Sequence, residues 1–460
     1  MKKWFKLFAM FALACILAVG AFGCVGTGGD DNQSSDDDTI DPNQQITLKV
    51  QSAAPLKYNY NALLMDTSPD DPIYKQALFT KELVEGFKEL YPNIKLQFVE
   101  NGWGDALYQQ NSLYVRDWLN GGQMAVDIMI GETYMGYFAQ NGVFAELDES
   151  MFDEVLEGSY ADMVVDGKIY GVPMCTGIVG LQYNKAILAE AGIAEEDMEP
   201  ATWDELLANC KKVSEYAAAN NKDYDGIILN NVAGMSGAFR ALPFMRQAGG
   251  DFYDENGSLA LNSAANVEAY SFLRQLAAYT PDGSLNETSE DTLQSLFLLQ
   301  DRSAYYVDGQ WAMTAAGENF ASCALPKVDE NDTGVGNCFL GNVIFAVTEG
   351  SANKAAAQAF LSYLTSAEIQ MRLYELDGRL PVNKTALESE EIREVNPVMN
   401  PYIDMLLAGG FEGALPHFEN NSSLIWEAWG SFYKSVLTGN GTIQTLADEL
   451  NAEILELLAA

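Results

Sequence analysis

Histidine is almost missing from this 460-residue chain: His417 stands alone, which rules out metal sites built from several imidazoles. Basic residues are scarce too, 26 Lys and Arg against 65 Asp and Glu, for a formal net charge of −39. A surface that negative repels nucleic acid and anionic lipid and disfavours a strongly anionic ligand. Phosphate-cradling glycine motifs of either common kind are absent. Gly234-Met235-Ser236-Gly237-Ala238 lacks the final glycine of a nucleophile elbow. There is no CxxC pair and no His–Cys cluster, so neither a zinc site nor any other cofactor is implied. No internal repeat occurs, against a surface adhesion array, and no later apolar run is long enough to span a bilayer.

What is present begins with a secretory signal. Lys2, Lys3 and Lys6 precede the uncharged apolar run Leu7 to Val19, and small residues lead to Gly23-Cys24. Ala21-Phe22-Gly23-Cys24 resembles a lipobox, with Ala21 where Leu or Val is usual, and predicts removal of residues 1–23 and acylation of Cys24. Residues 24–45 are rich in Gly, Ser, Asp, Asn and Gln, with the run Asp36-Asp37-Asp38, and read as a flexible acidic tether. The expected location is therefore the outer face of the cell membrane, lipid-anchored. Four cysteines remain in the body, Cys175, Cys210, Cys323 and Cys338, and allow three complete pairings. Cys323 with Cys338 is favoured because a short polar loop separates them; isolated buried thiols are the alternative.

Apolar residues make up 48% of the chain, enough to exclude wholesale disorder, and its length calls for two or three domains. Ile46-Thr47-Leu48-Lys49-Val50 and Ile94-Lys95-Leu96-Gln97-Phe98 alternate as half-buried strands, with a helical pattern over Leu78 to Leu90 between them. Val126-Asp127-Ile128-Met129-Ile130 is a candidate buried strand, and Ile178 to Tyr183, Ile227 to Leu229 and Ala304 to Val307 are further strands. Asp166-Gly167-Lys168 marks a turn. Thr202 with Glu205, and Thr365 with Glu368, have the spacing of capping boxes. Ala356, Ala359, Phe360, Tyr363 and Leu364 share one helical face, and Thr442 to Ala460 is an amphipathic helix. Strands alternating with helices make the fold class α/β with a largely parallel sheet.

Several segments, in order and at fitting distances, carry a resemblance to a family. They include Asp166-Gly167-Lys168-Ile169-Tyr170-Gly171-Val172-Pro173, Tyr183-Asn184-Lys185, Ala191-Gly192-Ile193 and Pro200-Ala201-Thr202-Trp203-Asp204-Glu205-Leu206. Further on come Asp308-Gly309-Gln310-Trp311, Ala324-Leu325-Pro326, Gly378-Arg379-Leu380-Pro381 and Leu437-Thr438-Gly439. From Ile46 to the C-terminus the chain resembles the family 1 extracellular solute-binding proteins, the group that includes maltose-binding protein. The resemblance implies a two-lobed, periplasmic-binding-protein-like fold of type II with a hinged cleft. By that analogy residues 46–173 and 344–376 form one lobe and 176–338 and 380–460 the other. The crossings fall at 172–177, 339–343 and 377–380. It also implies capture of a sugar or short oligosaccharide and delivery to an ABC permease, whose transmembrane subunits work with an ATPase, and no enzymatic reaction.

A pyranose offers an apolar C–H face for aromatic rings and hydroxyls for planar polar partners, and seven Trp and 22 Tyr make such a cleft feasible. The resemblance places stacking tryptophans at Trp311 and Trp426. Glu132 and Tyr134, in the loop after the Val126 to Ile130 strand, are the polar and aromatic candidates of the first lobe, with Asp127 beside them. Trp103 lies on a turn between Gly102 and Gly104, and Arg379 and Asn342 lie at crossings. Trp203 belongs to the capping-box helix and reads as structural. A secreted glycoside hydrolase, using the same aromatics with two carboxylates, is the rival from another class. A polyol, polyamine or peptide is the rival cargo.

Overall fold

The computed structural model describes residues 40–53, 56, 68–69, 71–103, 105–232, 234–313, 316–329, 340–409, 422–439 and 441–459. The signal segment, Cys24, most of the tether, Cys338, Phe339 and His417 lie outside them.

The chain opens with β1 (Ile46–Ser52), α1 (Pro72–Leu90), β2 (Ile94–Glu100), α2 (Asp105–Leu119), β3 (Ile128–Gly131) and α3 (Met135–Gln140). A small hairpin, β4 (Val164–Val165) with β5 (Lys168–Ile169), precedes β6 (Val172–Cys175) and β7 (Val179–Asn184). Its two-residue turn puts Asp166 at φ 51° and Gly167 at φ 78°, the left-handed pair that matches strand twist. Next come α4 (Lys185–Glu190), α5 (Trp203–Asn220), β8 (Asp225–Leu229), α6 (Met235–Gln247), α7 (Ala264–Ala277) and α8 (Glu290–Leu298). Then follow β9 (Ser303–Gly309), β10 (Phe320–Cys323), β11 (Val343–Val347), α9 (Lys354–Leu364) and α10 (Ala367–Asp377). The C-terminal part is helical: α11 (Lys384–Glu388), α12 (Glu390–Val395), α13 (Asn400–Ala408), α14 (Ser422–Thr438) and α15 (Ile443–Ala459).

Two sheets result. The first has the order β2-β1-β3-β11-β6, the second β10-β7-β9-β8. In the first, β1 runs parallel to β2 from Ile46↔Ile94 to Ser52↔Glu100 and parallel to β3, while β11 is antiparallel to β3 and β6. Period-two alternation splits its side chains between two helical layers. Ile128, Ile130, Phe345 and Val347 pack with Phe79, Leu83, Phe87 and Phe360 on one face. Met129, Ile344 and Ala346 pack with Met135 and Phe138 on the other. The second sheet is centred on β9, buried at every position, and covered by Leu206, Cys210 and Val213 of α5, Phe244 of α6 and Trp429, Tyr433 and Val436 of α14. Burying each such large apolar side chain is worth about 1.5–3 kcal/mol before entropy is counted.

The capping box at Thr202 forms, its hydroxyl accepting from Glu205 N while the Glu205 carboxylate reaches back. Trp203 is structural as expected, stacked on Phe272 at 4.2 Å and 8° with Nε1 donating to Gln247 at 2.9 Å. The second expected box does not form. Ser366, not Thr365, is the N-cap of α10 and makes no side-chain cap bond. Thr365 still closes α9, and its hydroxyl donates back to Leu361 O at 3.1 Å, so it is not free to open the next helix. Cys175, Cys210 and Cys323 are buried free thiols, and Cys338, the favoured partner of Cys323, lies outside the described residues.

Candidate functional site

In the first sheet β1, β2, β3 and β6 all finish at one edge, where β11 begins, as the pairs Ser52↔Glu100, Gly131↔Ile344 and Cys175↔Val343 show. Ligands of α/β sheets bind beyond such carboxyl ends. Glu132 and Tyr134 follow β3 there and Trp103 follows β2, 38% exposed. The Tyr134 hydroxyl accepts from Asn111 Nδ2 at 3.1 Å, and its ring packs edge-on against Tyr108 at 5.0 Å. Burial, then the charge of Glu132, holds its pKa well above the ordinary tyrosine value.

In the second sheet β8 and β9 finish together where β7 begins, with Gly309 opposite Val179. A short 3-10 turn directly beyond β9 carries Gln310 and the half-buried Trp311. The indole lies on glycine. A Cβ added at Gly309 would collide with the ring, and one at Gly177 would stand 2.8 Å from Cζ3. Phe239 packs beside the indole at 6.2 Å, and the Arg240 guanidinium lies 5.4 Å from its ring centre.

Arg240 is 4% exposed and fully engaged. Its Nε and Nη2 donate to Asp308 Oδ1 at 3.1 and 2.7 Å, and Nη1 donates to Glu290 Oε1 at 3.0 Å and Ser236 O at 2.9 Å. Asp308 also accepts from the Tyr306 hydroxyl at 2.6 Å and from Gly309 N at 2.8 Å. Burial works against the charged guanidinium, but Asp308 and Glu290 raise its pKa above the ordinary value. The cluster therefore holds a permanent cation beneath one tryptophan.

Passages between the sheets meet at Thr176. Its N–H donates to Leu380 O at 3.1 Å, its hydroxyl to Asn342 Oδ1 at 2.8 Å, and its carbonyl accepts from Gln310 Nε2 at 3.2 Å. Gly341 N donates to Gly177 O at 2.8 Å, and Ile178 N to Gln310 Oε1 at 2.9 Å. The turn bearing Trp311 is thus tied to the chain segment that leaves the first sheet. Two surface depressions flank α13, one lined by Leu156, Lys384 and Leu406, the other by Glu199, Cys323 and Pro401, and neither is lined by Trp103, Glu132, Tyr134 or Trp311.

Residues 70–371 match the family described as bacterial extracellular solute-binding protein. The chain belongs to that family. The maltodextrin-binding protein of Bacillus subtilis is 22% identical over 335 residues, 71% of this chain and 76% of that one. The lactose-binding protein of Rhizobium radiobacter is 30% identical over 222 residues, 45% and 48% of the two chains. The solved structure of maltose-bound T. maritima MalE3 matches with a TM-score of 0.67 at 21% identity, over 90% of this chain and 100% of that one, and shows the two-lobed fold. These relatives are binding proteins, not enzymes.

Within this solute-binding protein the residues singled out from sequence separate. Glu132, Tyr134 and Trp103 follow strands at the carboxyl end of the first sheet, and Trp311 follows β9 in the second. Asp127 must be corrected. It precedes β3, at the opposite end from Glu132, and its carboxylate accepts from Lys49 N at 2.7 Å, Ser351 Oγ at 2.6 Å and Asn353 Nδ2 at 3.2 Å. It anchors the loop before α9. Asp127→Ala is expected to cost about 1–3 kcal/mol of stability and leave solute affinity unchanged. Calorimetric titration beside urea unfolding checks this, and a tenfold affinity loss at unaltered stability would contradict it.

Trp426, 8% exposed, is stacked on Trp429 at 5.4 Å and 9°, so it belongs chiefly to the core under α14. Asn342 accepts from the Thr176 hydroxyl through Oδ1. Arg379 donates to Asp377 at 2.8 Å, which also accepts from Gln76 at 2.8 Å, so its principal bond braces the end of α10. Burial pushes the neighbouring Cys175 thiol up to about 11, against the opposing pull of Arg379. Sequence reading passed over Arg240, Glu290, Asn111 and Gln51, which have no local motif. Asp308 and Gln310 were within reach, flanking Gly309 in the same family segment as Trp311.

Proposed function

We propose that this protein is the capture component of an ABC importer on the outer face of the membrane, anchored by an acylated Cys24 through residues 24–45. Its cargo is a sugar or short oligosaccharide. The observation that carries this reading is Trp311, a half-buried indole backed by glycine and a buried cation where the second sheet meets the passages between sheets. Such a ring suits the apolar face of a pyranose, and Glu132, Tyr134 and Trp103 supply hydroxyl partners and a second aromatic from the other sheet. The sugar-binding names of the relatives support the same cargo. Closure of the two lobes over the sugar presents the loaded form to a permease, and the sugar leaves chemically unchanged. Among the described residues no helix is long and apolar enough to cross a membrane.

The test is thermal unfolding of the chain from Val25 onward against maltose, maltotriose, lactose, arabino-oligosaccharides, mannitol, spermidine and short peptides. A cargo at one hundred times its Kd adds about 2.7 kcal/mol, a clear rise in Tm. A rise with one saccharide, recovered intact, is the expected result. A rise only with mannitol, spermidine or a peptide would replace the cargo, and hydrolysed saccharide would replace the binding reading with a glycosidase.

A further inference from the structure

Two fully buried amides close the ligand-facing end of the first sheet, Gln51 on β1 and Asn111 on α2. β1 and β3 are in register only at Val50↔Ile128, and beyond it side chains replace the main-chain ladder. Gln51 Oε1 accepts from Ile130 N at 3.0 Å, and Gln51 Nε2 donates to Asn111 Oδ1 at 2.7 Å. Asn111 Nδ2 donates one hydrogen to Ile130 O at 2.7 Å and the other to Tyr134 Oη at 3.1 Å.

This chain of bonds has a fixed direction. Ile130 N can only donate, so it requires the oxygen of Gln51. The nitrogen of Gln51 then faces the oxygen of Asn111, and the nitrogen of Asn111 faces Ile130 O, which can only accept. The phenol of Tyr134 meets that nitrogen as an acceptor, and its own O–H points elsewhere. The ring cannot easily turn away. Tyr108 and Phe138 pack edge-on at 5.0 and 5.8 Å, and a Cβ on Gly131 would stand 3.0 Å from Oη.

We infer that Asn111 is a positioning residue that fixes Tyr134 as a hydrogen-bond donor toward the bound solute, so that the solute must present an accepting oxygen there. In a saccharide any hydroxyl, ring or bridging oxygen meets that demand, whereas an ammonium group, which can only donate, does not. The identity of the solute rests on the sugar-binding reading above; the direction of the Tyr134 bond rests on the buried amides alone. Gln51 acts through Asn111, and neither touches solute.

The experiment separates these two parts. The tyrosine Fermi doublet in Raman spectra distinguishes an accepting phenol from a donating one, and the full chain minus Tyr134→Phe isolates the signal of Tyr134. The parent should show an accepting phenol. Asn111→Asp keeps the shape and offers an acceptor instead, so it should turn the phenol inward as a donor. A parent phenol that accepts no hydrogen bond, or no change in Asn111→Asp, overturns the inference. Titration with maltotriose is the second arm. Asn111→Asp and Tyr134→Phe should each weaken binding about tenfold, and the double variant should lose no more than either. Losses that multiply in the double variant overturn it as well. If the parent binds no saccharide, the sugar reading falls, and the Raman comparison of parent and Tyr134→Phe still decides the role of Asn111.

Discussion

Removing the Asp308 carboxylate as Asp308→Ala is expected to cost about 3–5 kcal/mol of stability, the largest effect of any single change considered. The reason is what stays behind. Arg240 is 4% exposed, and without Asp308 its guanidinium keeps one carboxylate, Glu290, on the more exposed side. The Tyr306 hydroxyl and Gly309 N lose their acceptor at the same stroke. Replacing both partners with apolar residues, Arg240→Met with Asp308→Leu, should recover much of the loss, because the desolvation cost of the pair disappears with its attraction. Urea unfolding of the parent, the single and the double variant measures this. A single variant within about 1 kcal/mol of the parent would show that the buried pair is not the constraint described here.

Trp311→Ala should abolish useful binding, weakening affinity for the cargo found in the thermal panel by roughly 30- to 1000-fold, as expected for an aromatic anchor worth about 2–4 kcal/mol. Trp311→Phe should keep most of it. The indole has one side taken up by Gly309, Gly177 and the Arg240 neighbourhood, which leaves its other parts to carry what exposure it has. Truncation also removes the ring that Arg240 lies against, so stability must be followed in parallel. Calorimetric titration gives the affinity and thermal unfolding the fold. Binding within threefold of the parent by a stable Trp311→Ala variant would sink Trp311 as the anchor, leaving Trp103 and Tyr134 to hold the sugar. The two experiments also inform each other: the apolar pair at 240 and 308 leaves Trp311 in place without a cation beside it. Its affinity therefore reports what that cation contributes, an effect expected to be several-fold at most.

Much of the fold is legible because its signals are local. Ile46, Leu48 and Val50 alternate because a strand buries every second residue, and they do so here. Thr202 and Glu205 close a helix start because three residues return the chain to the same side. Asp166-Gly167 supplies the two positive φ values a tight hairpin needs. The family segments, each a few residues long, likewise survive in one chain without its relatives. Local signals also mislead where two elements abut: Thr365 has the cap spacing, yet the preceding helix claims its hydroxyl.

The sequence by itself determined many of the strands and helices, the α/β class, the family, and the tryptophan beyond β9 as a place to look; the largely parallel sheet it suggested is not found, since β11 runs antiparallel to β3 and β6, and β7 antiparallel to β9 and β10. Tertiary structure alone decided which polar groups are consumed inside the fold. Asp127 and Glu132 bracket the same strand and look equivalent as acids, but only one end of that strand meets the passages between sheets; the other is consumed by the loop at Ser351 and Asn353. Arg240 finds Asp308 across 68 residues, and Gln51 finds Asn111 across 60. Periodicity reports how a residue sits relative to its near neighbours on the chain. A buried charge or amide is placed by partners that only folding brings within hydrogen-bonding distance, and no spacing in the sequence encodes them.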